Sequence, residues 1–172
     1  MQEFHRPSVS INNKRERFQQ MLSLVRGMEP IPTAVAHPCD KESLKGPVIA
    51  FHEGIIEPIL VGPESRIRGV AEEFGIDLHG IRIVNAKHSH DAAAIAVSLV
   101  RTGDAEALMK GSLHTDELMA EVVARANGLL TARRISHVFL MNGPTYHRPL
   151  LITDAAINIA PTLEDNVDIV QN

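Results

Sequence analysis

The sequence contains no tryptophan, one tyrosine and five phenylalanines. Base-stacking platforms for single-stranded nucleic acid are built from such rings, so their scarcity speaks against that class of partner. A single cysteine, Cys39, cannot form an internal disulfide, and no Cys/His spacing resembles a zinc site. A reducing cytoplasm is the expected compartment. The net charge is −4 and no dense Lys/Arg block occurs. A nucleic-acid surface is therefore not indicated, although a local anion pocket stays open. The opening stretch MQEFHRPSVSINNKRERF is too polar for a signal peptide, and no apolar run is long enough to span a membrane. GxGxxG, the P-loop pattern and GxSxG are all absent, which leaves the usual dinucleotide, P-loop and hydrolase-elbow readings without their motifs.

What is present is an ordinary globular composition, 44% hydrophobic and 22% charged over 172 residues. The core must come from Leu, Ile, Val, Ala and Met. Residues 1–12 read as a loose arm. From Asn13 to Met28, Phe18, Leu22 and Val25 recur at helical spacing. A strand–helix rhythm follows. TAVAH (33–37) reads as a strand, and Asp40 as the N-cap of a helix with Ser43 three residues on. Gly46-Pro47 is a candidate kink in that helix. PILVG (58–62), RIVNA (82–86) and EALMK (106–110) read as further strands. The segments PESRIRGVAEEFG, SHDAAAIAVSLVRTG and HTDELMAEVVARANG read as helices ending at Gly75, Gly103 and Gly128. HVFLMN (137–142) and PLLITDA (149–155) form a candidate hairpin around Gly143-Pro144, and LEDNVDIVQN begins a helix. This alternation predicts an α/β fold with a mainly parallel sheet flanked by helices.

Ligands of open α/β sheets bind beyond the carboxyl ends of the strands. Here those ends read HPCD (37–40), GPES (62–65), NAKHSHD (85–91), KGSLHTD (110–116) and TDAAIN (153–158), expected along one edge. KGSLHTD is the most heavily loaded. Gly111 permits close backbone approach to a ligand, Ser112 and Thr115 offer hydroxyls, Lys110 a positive charge and His114 an imidazole that can donate a hydrogen bond or move a proton. An anionic, phosphate-bearing ligand fits such a set. A plain helix cap by Ser112 or Thr115 is the alternative. His88 and His90 read as caps or solvated groups, His37 as a satisfied structural histidine, and Cys39 as a small buried hydrophobe. Arg134, in the Arg133-Arg134 pair, is either solvated or a clamp on an acidic ligand. Asp154 is either the cap of the following turn or a polar group at the ligand.

PTAVAHPCD, IIEPILVGP, ALMKGSLHTDEL and PLLITDAAINIAPTLE, in that order, resemble the phosphate acetyl/butyryltransferases. They are most similar to the transferase half of bifunctional enoyl-CoA hydratase/phosphate acetyltransferases. The resemblance implies a fold like isocitrate and isopropylmalate dehydrogenases, with two α/β domains around an active cleft, usually dimeric. It implies conversion of acyl-CoA and phosphate to acyl phosphate and CoA, with CoA as a substrate and no metal or prosthetic group. It places Gly111, Ser112, His114 and Thr115 in the cleft segment that holds acyl phosphate and CoA, with Ser112 and His114 as the catalytic candidates, and matches Lys110 and Asp154 to that cleft. Arg134, from its own reading as a clamp, completes the expected substrate- and CoA-binding set. The family's members are longer, with a presumed proton acceptor in a C-terminal segment that has no counterpart here. The expected organisation is therefore an arm (1–12), a first α/β domain (13–142) and a truncated start of a second (143–172). A cytoplasmic homodimer is expected, with fusion to an enoyl-CoA hydratase domain as an option and no nucleic-acid or membrane partner. Two alternatives are an oxidoreductase of the related dehydrogenase fold and a non-catalytic CoA- or phosphate-binding domain.

Overall fold

In a computed structural model of the chain, residues 12–143, 146 and 149–172 are described. Two compact units emerge, one of residues Val25–Leu130, the other of the described residues up to Leu24 together with Thr131–Asn172. Residues 1–11 of the expected arm and the Pro144 of the expected hairpin turn lie outside the described residues, while Asn12, the last residue of that arm, begins a helix.

The Val25–Leu130 unit is a four-stranded parallel sheet: β1 (Ile31–Ala36), β2 (Ile56–Gly62), β3 (Arg82–Asn85) and β4 (Ala107–Lys110). Its spatial order is β3-β2-β1-β4. Helices α2 (Lys41–His52), α3 (Glu64–Phe74), α4 (Ser89–Thr102) and α5 (Thr115–Val122) make the connections. An α1 helix, Asn12–Val25, precedes them.

Alternation along the central strands sorts their side chains into two layers. Ala34, Ala36, Ile59 and Val61 join a cluster with Ala92, Ala93 and Ala96 of α4 and Leu118 of α5. Val35 and Leu60 join Leu44 and Val48 of α2 and Ile67 and Ala71 of α3. The first layer is nearly all alanine at the contact between α4 and β1, so that helix sits close to the sheet. Covered on both faces, the strands need no polar alternation, which is why they read as continuous apolar runs.

The helix signals are met locally. Asp40 Oδ1 accepts from Ser43 N at 2.8 Å while Ser43 Oγ accepts from Asp40 N at 3.3 Å, a reciprocal capping box. Helix α2 passes through Pro47 without interruption. The missing N–H costs a hydrogen bond there, and burial of Leu44, Pro47 and Val48 offsets it. Left-handed Gly75 and Gly103 close α3 and α4. Helix α5 is shorter than its apolar period suggests and stops at Val122. The Val122 carbonyl accepts from Leu129 N at 2.8 Å, so the chain folds back over the helix end.

In the other unit β5 (Val138–Met141) pairs antiparallel with β6 (Leu150–Thr153), Val138 opposite Thr153 and Met141 opposite Leu150. Helix α6 (Leu163–Gln171) starts on a second capping box, between Thr162 and Asp165. The compact unit that carries the parallel sheet ends at Leu130, and β5 and β6 pair with each other in the other unit. The segment TDAAIN accordingly leaves the row of parallel strand ends, and the other four remain in it. Among the described residues no helix is long and apolar enough to cross a membrane.

Leu60 is fully buried in the α2/α3 layer. Leu60→Ala is expected to lower unfolding stability by about 2–5 kcal/mol, read as a reduced urea midpoint.

Candidate functional site

The chain runs outward from β1 through β2 to β3, then returns to place β4 on the opposite side of β1. The gap between the carboxyl ends of β1 and β4 is thus the topological switch point, where sheets of this kind bind ligands. Backbone pairing continues past both strand ends: Gly111 N donates to Ala36 O and Ser112 N to His37 O, each at 2.8 Å. A Cβ on residue 111 would lie 2.4 Å from Ala36 O and 2.6 Å from His37 O. The close approach that requires glycine here is therefore to the tail of β1, within the protein.

Ser112 is at the centre of the junction. Its hydroxyl donates to His37 O at 2.8 Å, accepts from Cys39 N at 3.1 Å and lies 3.3 Å from His37 Nδ1. A hydroxyl has one proton and two lone pairs. With the proton on the His37 carbonyl and one lone pair taken by Cys39 N–H, the remaining lone pair faces Nδ1. In that arrangement Nδ1 is the donor; in the other tautomer the hydroxyl proton turns to Nδ1, and in both the ring meets Ser112 through Nδ1. His37 itself is 7% exposed and has a left-handed backbone, φ 55°. That conformation costs a residue with a Cβ roughly 1–2 kcal/mol. Burial, reinforced by the Arg66 charge on α3, pushes its imidazole below the ordinary histidine value, against the Ser112 bond and the nearby Glu117 and Asp40 charges. Burial pushes the neighbouring Cys39 thiol up, so this sulfur is a packed, un-ionised group.

Apart from Leu113, which is buried in the core, the rest of the loop faces water. Lys110 is exposed, its Nζ 3.3 Å from the Gly111 carbonyl. His114 occupies the N-cap position of α5 with no side-chain cap bond, and it and Thr115 are exposed. Neither Ser112 nor Thr115 is the cap. Asp116 and Glu117 occupy the first turn. A Glu117 carboxylate oxygen is buried, 3.6 Å from His90 Nδ1 and without a hydrogen bond. His88 caps α4, accepting from Asp91 N at 3.2 Å.

Asp154 and Arg134 stand in the other unit. Asp154 accepts from the backbone N–H groups of Ala156, Ile157 and Asn158 and from the Asn158 side chain. Desolvation raises its carboxyl, but these bonds outweigh it and hold the group below its ordinary value. It is the cap of its own turn. Arg134 makes a 2.6 Å ion pair with Asp165, and a 3.4 Å bond to Asn158 Oδ1 connects it to the Asp154 cluster. The structure therefore gathers Lys110, Gly111, Ser112, His114 and Thr115 at one strand edge, and Asp154 with Arg134 around Asn158. His37 is the residue that sequence reasoning passed over. Its only signal was its place at a strand end, because a left-handed backbone leaves no mark in periodicity. Among the described residues no three His, Cys, Asp or Glu side chains form a group that could hold a metal ion.

Two outcomes follow from this geometry. Gly111→Ala is expected to cost about 1–3 kcal/mol by overpacking, measured by chemical denaturation. The folded-state value of His37 lies below the ordinary 6.5, so on acidification the unfolded chain takes up a proton before folded His37 does. Its contribution to stability is then lost as pH falls below about 6.5, and His37→Asn is expected to flatten the fall in melting temperature between about pH 7 and pH 5.

Comparison with known proteins agrees with this picture. The chain is 56% identical over 156 residues to a phosphate acetyltransferase of Rhizobium meliloti, covering 91% of this chain and 49% of that protein. It is 35% identical over 155 residues to a phosphate butyryltransferase of Clostridium acetobutylicum, covering 90% and 52% respectively. The chain thus spans about half the length of the curated relatives it matches. The fold is shared with a phosphotransacetylase from Streptococcus pyogenes, with a TM-score of 0.76, 21% identity and coverage of 95% of this chain and 57% of that one. The oxidoreductase alternative finds no support among these relatives. The family model for phosphate acetyl/butaryl transferase matches residues 86–172, half of the chain and the whole of the KGSLHTD loop, and the chain belongs to that family.

Proposed function

We propose that this chain forms the phosphate-binding edge of a phosphate acyltransferase, which interconverts acyl-CoA plus phosphate with acyl phosphate plus CoA. The observation that carries the reading is the junction of the β1 and β4 tails at the switch point, which holds Lys110, His114 and Thr115 at one solvent-facing rim. In the direction of thioester formation, the CoA thiolate attacks the acyl carbonyl carbon, the carbon–oxygen bond to phosphate breaks, and phosphate leaves with its charge increased and takes up the equivalent of the proton that the thiol gave to solvent. Lys110 and His114 supply a positive charge and a hydrogen-bond donor to the phosphoryl oxygens, and Thr115 a hydroxyl. Such groups accelerate the reaction by holding the reactants in place and stabilising that charge. Ser112 contributes through loop geometry, since its hydroxyl is already engaged by His37 and Cys39. Asp154 and Arg134 are assigned to the CoA side, where reaching a ligand would require them to exchange their present bonds to Asn158 and Asp165. The substrates in this reading are CoA and an acyl phosphate, in a cytoplasmic homodimer.

Because the chain spans half of its relatives, binding is the direct readout. Acetyl phosphate and CoA are expected to raise the melting temperature of the purified chain, whereas NAD(P) with a divalent cation leaves it unmoved. Lys110→Ala and His114→Ala are each expected to weaken acetyl phosphate binding about tenfold, the value of one charge-assisted hydrogen bond. A chain that binds neither compound would refute the assignment. Binding without thioester formation, even in a version of the protein as long as its relatives, would leave the non-catalytic binding domain as the correct reading.

A further inference from the structure

We propose that His37 is a positioning residue for the substrate loop: its ring and its left-handed backbone clamp the tail of β1 to Gly111-Ser112 and thereby set where Lys110, His114 and Thr115 stand. The inference rests on the reading of that loop as the acyl phosphate site and goes beyond it, because His37 makes no claim on the ligand.

Three observations converge on this residue. First, the backbone turns into the left-handed region at a residue that is neither glycine nor asparagine. Such strain persists only where the surroundings over-determine it, and it concentrates at sites of function. Here the turn presents one carbonyl oxygen to three donors, Cys39 N at 2.9 Å, Ser112 N at 2.8 Å and Ser112 Oγ at 2.8 Å. Second, the ring returns to the same serine through Nδ1, so Ser112 is gripped by both the main chain and the side chain of His37. Third, the grip lies between the two strands that flank the switch point. Moving the β4 tail relative to β1 would move the start of α5, whose cap position is His114 itself. The ring's contact with Ser112 runs through Nδ1, and Nε2 takes no part in it. The proposal therefore assigns the whole effect to Nδ1 and the backbone.

Two substitutions divide those contributions atom by atom. Asparagine tolerates the left-handed conformation and carries an amide nitrogen one bond from Cγ, the place of Nδ1 in histidine, so His37→Asn keeps the clamp and deletes Nε2. Glycine accepts the backbone equally well and keeps the carbonyl but has no ring, so His37→Gly removes the side-chain half of the clamp alone. Each variant would be studied by acetyl phosphate titration and by amide hydrogen exchange at Cys39, Gly111 and Ser112. His37→Gly is expected to exchange about tenfold faster at these amides and to bind acetyl phosphate about tenfold more weakly. His37→Asn is expected to stay within about twofold of wild type in both. Glycine behaving as wild type, or a well-folded asparagine variant that loses affinity tenfold, would overturn the proposal. The second outcome also decides the matter if the glycine variant does not fold. If wild-type protein binds no acetyl phosphate, the functional reading fails, and the clamp is then judged by the exchange rates alone.

Discussion

The approach of the β1 tail to the β4 tail is the constraint on which the rest of the Val25–Leu130 unit depends. Two parallel strands reach the carboxyl edge of the sheet side by side, and their backbones keep pairing after both strands have ended. That is possible only because residue 111 has no Cβ to drive into the Ala36 and His37 carbonyls. Once the tails are joined, the polar atoms between them must satisfy one another in a space with little water. One serine hydroxyl, one imidazole nitrogen, the two carbonyls of Ala36 and His37 and three backbone N–H groups do so with nearly complete hydrogen-bond accounting. The exposed side chains of the same loop are left free to meet a ligand because the buried ones are fully occupied.

The same economy explains the layers behind the edge. Alanines of α4 lie against alanines of β1, which keeps the helix close to the sheet, while α2 and α3 fill the opposite face with Leu44, Val48 and Ile67. Rigid strands with both faces packed give the loops at their ends a fixed base, and a phosphate site built from few groups gains from that rigidity. In the other unit, Asn158 bonds both the Asp154 carboxylate and the Arg134 guanidinium, so neither charge is left to the solvent alone. The hairpin beside it exposes apolar side chains at every strand position except Thr153, among them Leu151 at 73%.

Family membership and physical geometry meet at one loop. The family model spans KGSLHTD, and that loop lies at the sheet's switch point. The family model starts at residue 86, so it does not include His37 or the rest of the β1 tail. The β1 tail belongs beside that loop, because Ser112 finds its partners there, more than seventy residues away in sequence.

Local rules were legible wherever a few adjacent residues decide the outcome. The Asp40–Ser43 capping box, the stops at Gly75 and Gly103, the strand runs and the helical role of His88 all depend on neighbours within four positions. So did the parallel sheet, since strands separated by helix-length connections have few other ways to pair. Composition likewise foretold that Cys39 would be buried. The tertiary structure alone decided the sheet order, the early end of α5 where Leu129 folds back on Val122, and the unbroken passage of α2 through Pro47. It also decided that β6 pairs with β5 away from the parallel sheet, and that Ser112, an apparent ligand group, is consumed by a histidine read as merely structural. Each of these turns on contacts between segments distant in the chain, where packing and hydrogen-bond satisfaction outweigh the fraction of a kilocalorie by which local propensity favours any one residue.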